Sequence, residues 1–439
     1  MTLLETLAAF AVTAPSEAVP AAVRDHAHRA FANWLAVAYH AAHLPVAGPF
    51  LAVARRAGAG PVPVVGGPAA PAAVAALVNG ALGHLDDFDD THLGTVTHPT
   101  TPVIAATWAA LPPGAEWAEW LDAIAVGTEV GIRVAECLSP SHYDRGWHIT
   151  ASTGGIGAAA GVARLWGLAP SAATAALALA ALQPVGLRAA FGTMGKPYQV
   201  GRAAEIGWSA AEAAAVGVTA PPDALEHRRG LRIAGDDFHP EAITAELGQR
   251  WRFLEDTFKP YPSGIVTHPA IDAALALHAE IDPHAIRRVT AEVHPLVVEL
   301  TGLRHPTHGL AVKFSATALI ALALVRGRVA PEDFDQPLDP WTAAVERRVE
   351  LVPTPALARD SATVTVECES GAPRRHHVAH ARGSLARPLT WSDLSEKWRK
   401  TWPRGQSGAE DGWQRVKTLS VPPDPFRQLW GQGEVSRAG

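Results

Sequence analysis

The apolar periodicity of this chain changes twice along its length, and those changes constrain the fold more than any single motif. Through about residue 255, apolar residues recur at helical spacing over Ala22–His40, Ala70–Asp86, Pro102–Ala110, Trp117–Leu138, Thr150–Trp166, Ser171–Leu182 and Gly201–Val216. Proline and glycine punctuate the ends, as in Pro112-Pro113-Gly114 and Pro221-Pro222-Asp223. Alanine and glycine dominate these faces, which lets helices pack closely, and strand alternation is not evident there. After Phe258 the pattern switches. Val289, Ala291 and Val293 alternate with Arg288, Thr290 and Glu292, which predicts a half-buried strand within Arg287–Leu300. Val349–Val352, Ala362–Cys368 and Arg374–His380 read as further strands, the last two joined by a Glu369-Ser-Gly-Ala turn, while Ala270–Ile281 and Lys313–Arg326 read as helices. From Thr390 the spacing is helical again. The expected fold is therefore mainly α with an inserted α+β domain: residues 1–257 and 390–439 form a helical domain, and 258–389 a smaller α+β unit.

Composition removes several function classes. With 439 residues, 48% hydrophobic and 18% charged, the chain can bury a large core. A net charge of −6 without blocks of like charge gives no nucleic-acid footprint and no polybasic membrane patch. Cys137 and Cys368 are too few and too far apart for a disulfide framework or a cysteine-based zinc site. The N-terminus lacks a signal-peptide pattern, and the apolar run Thr317–Val325 is too short to span a bilayer, so a cytoplasmic protein is expected.

Against this alanine-rich background, the stretch Gly83–Pro99 stands apart. Four carboxylates, three histidines and three threonines lie between His84 and His98. Such a density of ionisable groups is costly to bury and is not needed for packing, so it points to chemistry. The helix from Ala70 should end near Asp86, leaving the cluster on a helix end and the following loop. That loop re-enters the core at once, because His98-Pro99 is followed by Val103-Ile104-Ala105-Ala106. Three chemistries compete for it. Asp86-Asp-Phe-Asp-Asp90 satisfies the DDxxD pattern of magnesium–diphosphate enzymes, but those need a second metal motif, and neither Asn33 nor Asn79 has the right followers. A mononuclear metal site would draw on His84, His92, His98 and the aspartates, yet no HExxH or paired spacing on one helix face supports it. Metal-free acid/base catalysis is the third.

Further segments gather similar side chains. Arg145-Gly-Trp-His-Ile-Thr150 places His148 before a helix of small residues, and a helix N-terminus suits a carboxylate. Phe191-Gly-Thr-Met-Gly-Lys-Pro197 sets Lys196 in an apolar region, where it would otherwise reach for the surface. Phe258-Lys-Pro-Tyr-Pro-Ser-Gly-Ile-Val-Thr-His-Pro-Ala-Ile-Asp272 falls at the proposed domain junction, where clefts form.

These segments, taken in order with Lys313-Phe-Ser315 and Leu389-Thr-Trp-Ser-Asp-Leu394, resemble the MmgE/PrpD family from about residue 5 to 430. That family includes 2-methylcitrate dehydratase, cis-aconitate decarboxylase and an iminodisuccinate epimerase. The resemblance implies a helical domain built from both chain ends, an α+β lid, a homodimer, no metal and no organic cofactor. It implies site residues Asp87, Thr91, His98, His148, Lys196 and Lys259. Two positions depart from the decarboxylase-like pattern: Gly264 stands where a histidine is expected, with His268 one turn on as its substitute, and Ala318 replaces a tyrosine.

The family's reactions share the formation of negative charge on carbon beside a carboxylate, which cationic donors stabilise. The roles that follow put Lys196 and Lys259 on substrate carboxylates, with His268 also binding substrate and His148 polarising a carboxylate. His98 moves the proton, and Asp87 and Thr91 orient His98 and the substrate, Asp87 being a second candidate base. The expected activity is dehydration of a small hydroxy-di- or tricarboxylate, with epimerisation and decarboxylation as the alternatives.

Overall fold

The computed structural model describes residues 1–13, 18–403 and 406–419, so the part of the resemblance beyond residue 419 lies outside the described residues. The chain is mainly helical with a smaller α+β portion. Helices Ala21–Ala42, Ala72–Leu85, Thr100–Ala109, Trp117–Leu138, Ile149–Leu165 and Pro170–Ala181 form where the periodicity places them, and Leu3–Thr13 and Gly48–Ala57 add two more.

Small residues set how closely these helices approach. A Cβ on Gly127 would lie 2.7 Å from the carbonyl oxygen of Gly157, where Trp117–Leu138 crosses Ile149–Leu165. One on Gly201 would lie 2.2 Å from the carbonyl oxygen of Leu77, so any side chain there would push apart Ala72–Leu85 and the helix Gly195–Ala215. That last helix starts earlier than Gly201, where the apolar spacing alone places it. Pro197 is tolerated in its first turn because N–H groups there have no helical partner. As a result Lys196 sits at the helix entrance rather than in a loop.

Among the described residues, six short strands complete the architecture. β1 (Thr91–His92) and β2 (Asp256–Thr257) pair antiparallel, Thr91 opposite Thr257 and His92 opposite Asp256. This two-residue ladder, which the helical reading of the first half lacks, ties the acidic loop to the segment leading into Phe258. β3 (Ile286–Val293), β4 (Val349–Pro353), β5 (Ala362–Cys368) and β6 (Arg374–Val378) form one sheet in the order β4-β3-β5-β6. β3 is parallel to β4 and antiparallel to β5, and β5–β6 is a hairpin. The strand expected over Arg287–Leu300 stops at Val293, because Pro295 opens a helix, Pro295–Thr301. His294 caps it by accepting the backbone N–H of Leu296. Similarly, the helix read as Lys313–Arg326 begins at Ala316 behind the Ser315 cap, which leaves Lys313 before it.

Buried apolar residues fall into two large clusters. One draws on residues from Leu4 to Phe258 and again on Leu389, Leu394, Trp398, Trp413 and Val416. The other runs from Tyr261 to Val378. The helix Trp391–Thr401 packs on Ala21–Ala42, near the other end of the sequence. Each large apolar side chain buried in such a contact contributes roughly 1.5–3 kcal/mol. Among the described residues, no single helix is long and apolar enough to cross a membrane.

Candidate active site

The helix Ala72–Leu85 ends at its cap Asp86, and Asp87 then takes a left-handed backbone conformation with φ of 51°. Aspartate tolerates that region better than most residues, and non-glycine residues held there cluster at functional sites. The turn sends the four aspartates in four directions. Asp86 pairs with Lys313, whose Nζ also donates to the Asp86 carbonyl at 2.7 Å. Asp87 pairs with Lys196 at 2.5 Å and lies 3.4 Å from Lys259. Asp89 contacts the Nδ1 atoms of His84 at 2.8 Å and His98 at 3.1 Å, and accepts the Thr101 hydroxyl at 2.8 Å. Asp90 accepts the Thr100 hydroxyl at 2.6 Å and faces Asp256. Lys196 and Lys259 already occupy Asp87, and His84 and Thr101 occupy Asp89, so the run is not the open carboxylate pair of a magnesium–diphosphate motif.

His98 is flanked on its Nδ1 side. The Asp89 carboxylate lies 3.1 Å from Nδ1 and the Thr91 hydroxyl 3.4 Å, and the nearby negative charge favours the ring proton on Nδ1. Nε2 is then the basic nitrogen, 3.9 Å from the Asp87 carboxylate. Burial lowers the His98 pKa, opposed by Asp89, so the ring is neutral near pH 7. His84 is pushed down to about 4 by burial. His148 is also pushed down, again chiefly by burial, and its Nδ1 meets the Gln199 side-chain oxygen at 3.0 Å while Nε2 has no partner. Burial would raise Asp87, but the Lys196 and Lys259 charges outweigh it and hold the carboxylate ionised. Lys259, lowered by burial, also donates to the Asp87 carbonyl at 2.9 Å.

Asp87, Thr91, His98, His148, Lys196 and Lys259 all line one cavity with about 510 Å³ of empty space. They come from the acidic loop, the entrances of two helices and the Phe258–Tyr261 junction, so the arrangement depends on the tertiary fold. The rest of its lining is largely apolar. Val96, Phe191, Ile265, Leu300 and Phe314 belong to it, and Lys196 also lies 5.3 Å from the Phe191 ring centre and 5.4 Å from that of Phe314. His268 is placed elsewhere. It lines a neighbouring cavity of about 970 Å³ with His92, Glu255 and Arg382, separated from the first by the shared Ile265. Gly264 lines the first cavity, and Ala318 is buried in the second apolar cluster.

Among the described residues, two sets of side chains lie close enough to hold a cation: His84, Asp87, Asp89 and His98, and separately His92, Glu136 and Glu255. Each has cationic competitors. Two ammonium groups flank Asp87, while Arg250 and Arg252 flank Glu255 and Arg252 also reaches Glu136. The chemistry that fits the first set is proton movement beside a carboxylate, with lysine charge at hand.

Family models account for most of the chain. The MmgE/PrpD N-terminal domain matches residues 5–235 and the MmgE/PrpD C-terminal domain matches residues 261–416. The chain belongs to the MmgE/PrpD family. Among curated relatives, cis-aconitate decarboxylase of Homo sapiens is 25% identical over 368 residues, covering 80% of this chain and 75% of that protein. The Mus musculus cis-aconitate decarboxylase is 30% identical over 219 residues, covering 48% of this chain and 45% of its own length.

Several contributors escaped the sequence reading. Asp89, there one aspartate among four, is the residue that contacts His98 most closely on the Nδ1 side. Lys397 is buried on Trp391–Thr401 and donates to the Asn33 side chain at 2.6 Å and to the carbonyls of Phe88 at 2.6 Å and Lys259 at 3.0 Å. It thus fastens the acidic loop and the junction to the helix Ala21–Ala42. Its signal was a lysine between Leu394 and Trp398 on an otherwise apolar helix face.

Proposed function

We propose that this member of the MmgE/PrpD family is a lyase that forms a carbanion-like intermediate beside a carboxylate of a small polycarboxylate, with dehydration as its reaction. The observation that carries this reading is His98. It combines an Asp89-held Nδ1, a free basic Nε2 on the cavity side and two lysines on the adjacent Asp87. In the proposed step, Nε2 takes a proton from the carbon next to the substrate carboxylate. The electron pair is held as an enediolate by Lys196 and Lys259, where fixed charge in a buried site acts most strongly. The carbon–oxygen bond at the neighbouring carbon then breaks, a double bond forms, and the departing hydroxyl takes the proton from His98 and leaves as water. Asp89 and Thr91 hold the imidazole, while Asp87 spaces the two ammonium groups. His148, with its Nδ1 on the Gln199 side-chain oxygen, presents Nε2 as an acceptor suited to a substrate hydroxyl. The site needs no redox step.

Decarboxylation is the second reading, favoured by the names of both relatives. There the carbon–carboxylate bond breaks, its electron pair stays on the carbon as carbon dioxide leaves, and His98 relays a proton from water to that carbon, leaving hydroxide to be neutralised by solvent. We extend the reading to the domain arrangement: within the described residues, those up to 257 with those from 390 to 419 form the helical body and 258–389 a lid over the site, the remainder of the expected helical domain lying outside the described residues. The two apolar clusters and the packing of Trp391–Thr401 on Ala21–Ala42 support it.

Incubation with hydroxy-di- and tricarboxylates in deuterium oxide, followed by NMR, tests the proposal. Deuterium should enter the carbon beside a carboxylate, with an unsaturated product for dehydration and released carbon dioxide for decarboxylation. Neither exchange nor product across the panel would overturn it.

A further inference from the structure

Asp87, Thr91, His98, His148, Lys196 and Lys259 are all buried, so a charged ligand must pass other residues to reach them. Two neighbouring cavities share half-buried residues with the site. Ile265 separates it from the one of about 970 Å³. Phe191, Leu300 and Phe314 separate it from another with about 600 Å³ of empty space, whose rim includes the exposed Val298, Glu299 and Leu303. Phe191 comes from the helical part of the chain, and Leu300 and Phe314 from the α+β part. The Phe191 and Phe314 rings stack with centres 6.2 Å apart. This partition is one side chain thick, and its apolar groups make no hydrogen bonds that would resist rotation.

The two directions differ in charge. Toward Ile265, Glu136, Glu255 and Asp360 face Arg359 and Arg382 across the cavity. Arg382 is already paired with Asp393 and Glu396, and Arg250 and Arg252 serve only to match Glu255 and Glu136. No positive charge is left over there. Beyond Phe191, Leu300 and Phe314 the balance is reversed. At Val298 and Gly302 the outer cavity meets a cleft of about 880 Å³ lined by Arg288, Arg304, Arg347 and Arg348. Glu350 pairs with Arg288, and Glu346 lies 3.6 Å from Arg304. Arg348 donates to the Ile286 carbonyl and lies 5.3 Å from the Trp341 ring centre. Among the described residues, neither Arg347 nor Arg348 has a carboxylate partner, so two positive charges are left over. Glu299, on the way inward, is paired with Arg188 at 2.9 Å.

We propose that the cleft of Arg288, Arg304, Arg347 and Arg348 is a loading site for anions, from which the substrate enters between Phe191, Leu300 and Phe314. This rests on the reading of the ligand as a polycarboxylate and adds a binding surface outside the cavity where it reacts. Unmatched guanidinium groups at a mouth raise the local concentration of anions and speed their arrival. Because the cleft lies outside the site, it acts on arrival and leaves the chemical step alone.

A thiol inside the site reads the route without any turnover. In Thr91→Cys, labelling at position 91 by anionic sulfonatoethyl methanethiosulfonate and by its cationic trimethylammonium analogue is followed by mass spectrometry of the peptides, which separates it from Cys137 and Cys368. Adding Arg347→Glu, at an exposed position, should slow the anionic reagent about three- to tenfold and quicken the cationic one. Both effects should vanish in about 1 M salt, where the screening length falls to about 3 Å. Leu385→Glu, an exposed change on the Ile265 side, should leave both rates unaltered. Rates indifferent to Arg347→Glu, or an anionic rate slowed instead by Leu385→Glu, overturn the route, as does a folded Thr91→Cys chain that neither reagent reaches. In the chain without the added cysteine, Arg347→Glu should lower kcat/KM by a similar factor with kcat unchanged, using a hydroxycarboxylate that exchanges deuterium. A fall in kcat alone overturns the loading role. If no hydroxycarboxylate exchanges, the lyase reading fails while the labelling rates still decide the route.

Discussion

The acidic loop has two sides built from the same residue types, and they differ in what lies beyond them. On the front, Asp87, Asp89, His98, Lys196 and Lys259 form contacts that border a cavity. On the rear, Asp86 with Lys313, Asp90 with Asp256, and Lys397 with its carbonyl acceptors are enclosed by protein. A buried ion pair has the same electrostatics in both places. Only on the front can a ligand exchange for part of it. Buried charge alone does not mark a site; buried charge with an open coordination direction does. The rear fixes the loop, so that the front keeps its geometry when a ligand enters.

The sharpest way to break this division is His98→Ala. Turnover should fall by roughly two to four orders of magnitude while the thermal midpoint stays within a few degrees of the parent. Steady-state kinetics with the converted carboxylate measures it, and near-parental turnover would remove His98 as the proton-moving group. Asp89→Asn acts one contact away and should lower kcat by about tenfold to a hundredfold with KM little changed, because the imidazole loses its oriented tautomer. A raised KM with unaltered kcat would instead place Asp89 in binding.

On the rear, Lys397→Ala should cost on the order of 3 kcal/mol in stability, since it leaves buried acceptors unpaired. Urea unfolding reads this, and a loss under about 0.5 kcal/mol, the range of ordinary surface changes, would show that the loop is held by other contacts. Back on the front, Lys196→Ala should raise KM by about ten- to a hundredfold, as expected for one charge-assisted hydrogen bond. An unchanged KM and kcat would take Lys196 out of the site.

The smallest effects are in pH. Burial raises the pKa values of Asp90 and Asp256, helped by the charge of Asp89 on Asp90 and of Asp90 on Asp256, so the folded chain keeps a proton that the unfolded chain releases above pH 3.8. Stability should therefore fall as pH rises from that value through the raised folded pKa values. Asp256→Asn should flatten that slope and stabilise the protein by about 1 kcal/mol near neutrality. Thermal melts of both proteins across pH decide it, and parallel profiles would show that the pair carries no shared proton. His98 moves the opposite way: its lowered pKa should keep the base free, so activity should persist below the ordinary imidazole value of 6.5. An acid limb at or above that value would contradict a neutral buried His98.

The sequence made the front side far more legible than the rear. Asp87, Thr91, His98, His148 and Lys196 stand in dense or unusual segments of an alanine-rich chain, and composition alone draws attention to them. Lys397 and Asp256 sit singly in ordinary surroundings, and their importance arises only when distant segments meet. Helix positions followed from periodicity, because burying one face of a helix requires it. The end of β3 did not, because Val297 and Leu300 continue an apolar pattern on the helix that Pro295 starts. Asp89 was hidden by its neighbours: four adjacent carboxylates look alike in sequence, and the left-handed turn at Asp87 assigns each a different partner.

The contacts of Lys397 also set a timetable for the ribosome. Its acceptors on Asn33, Phe88 and Lys259 are made before the lysine itself, the last of them 138 residues earlier, or roughly 7–28 s at 5–20 residues per second. By the end of that interval the nascent chain contains every lining residue of the site cavity, but not the lysine that secures the loop carrying Asp87, Thr91, Val96 and His98. A newborn chain would therefore fix its acidic loop only after residue 397 has emerged.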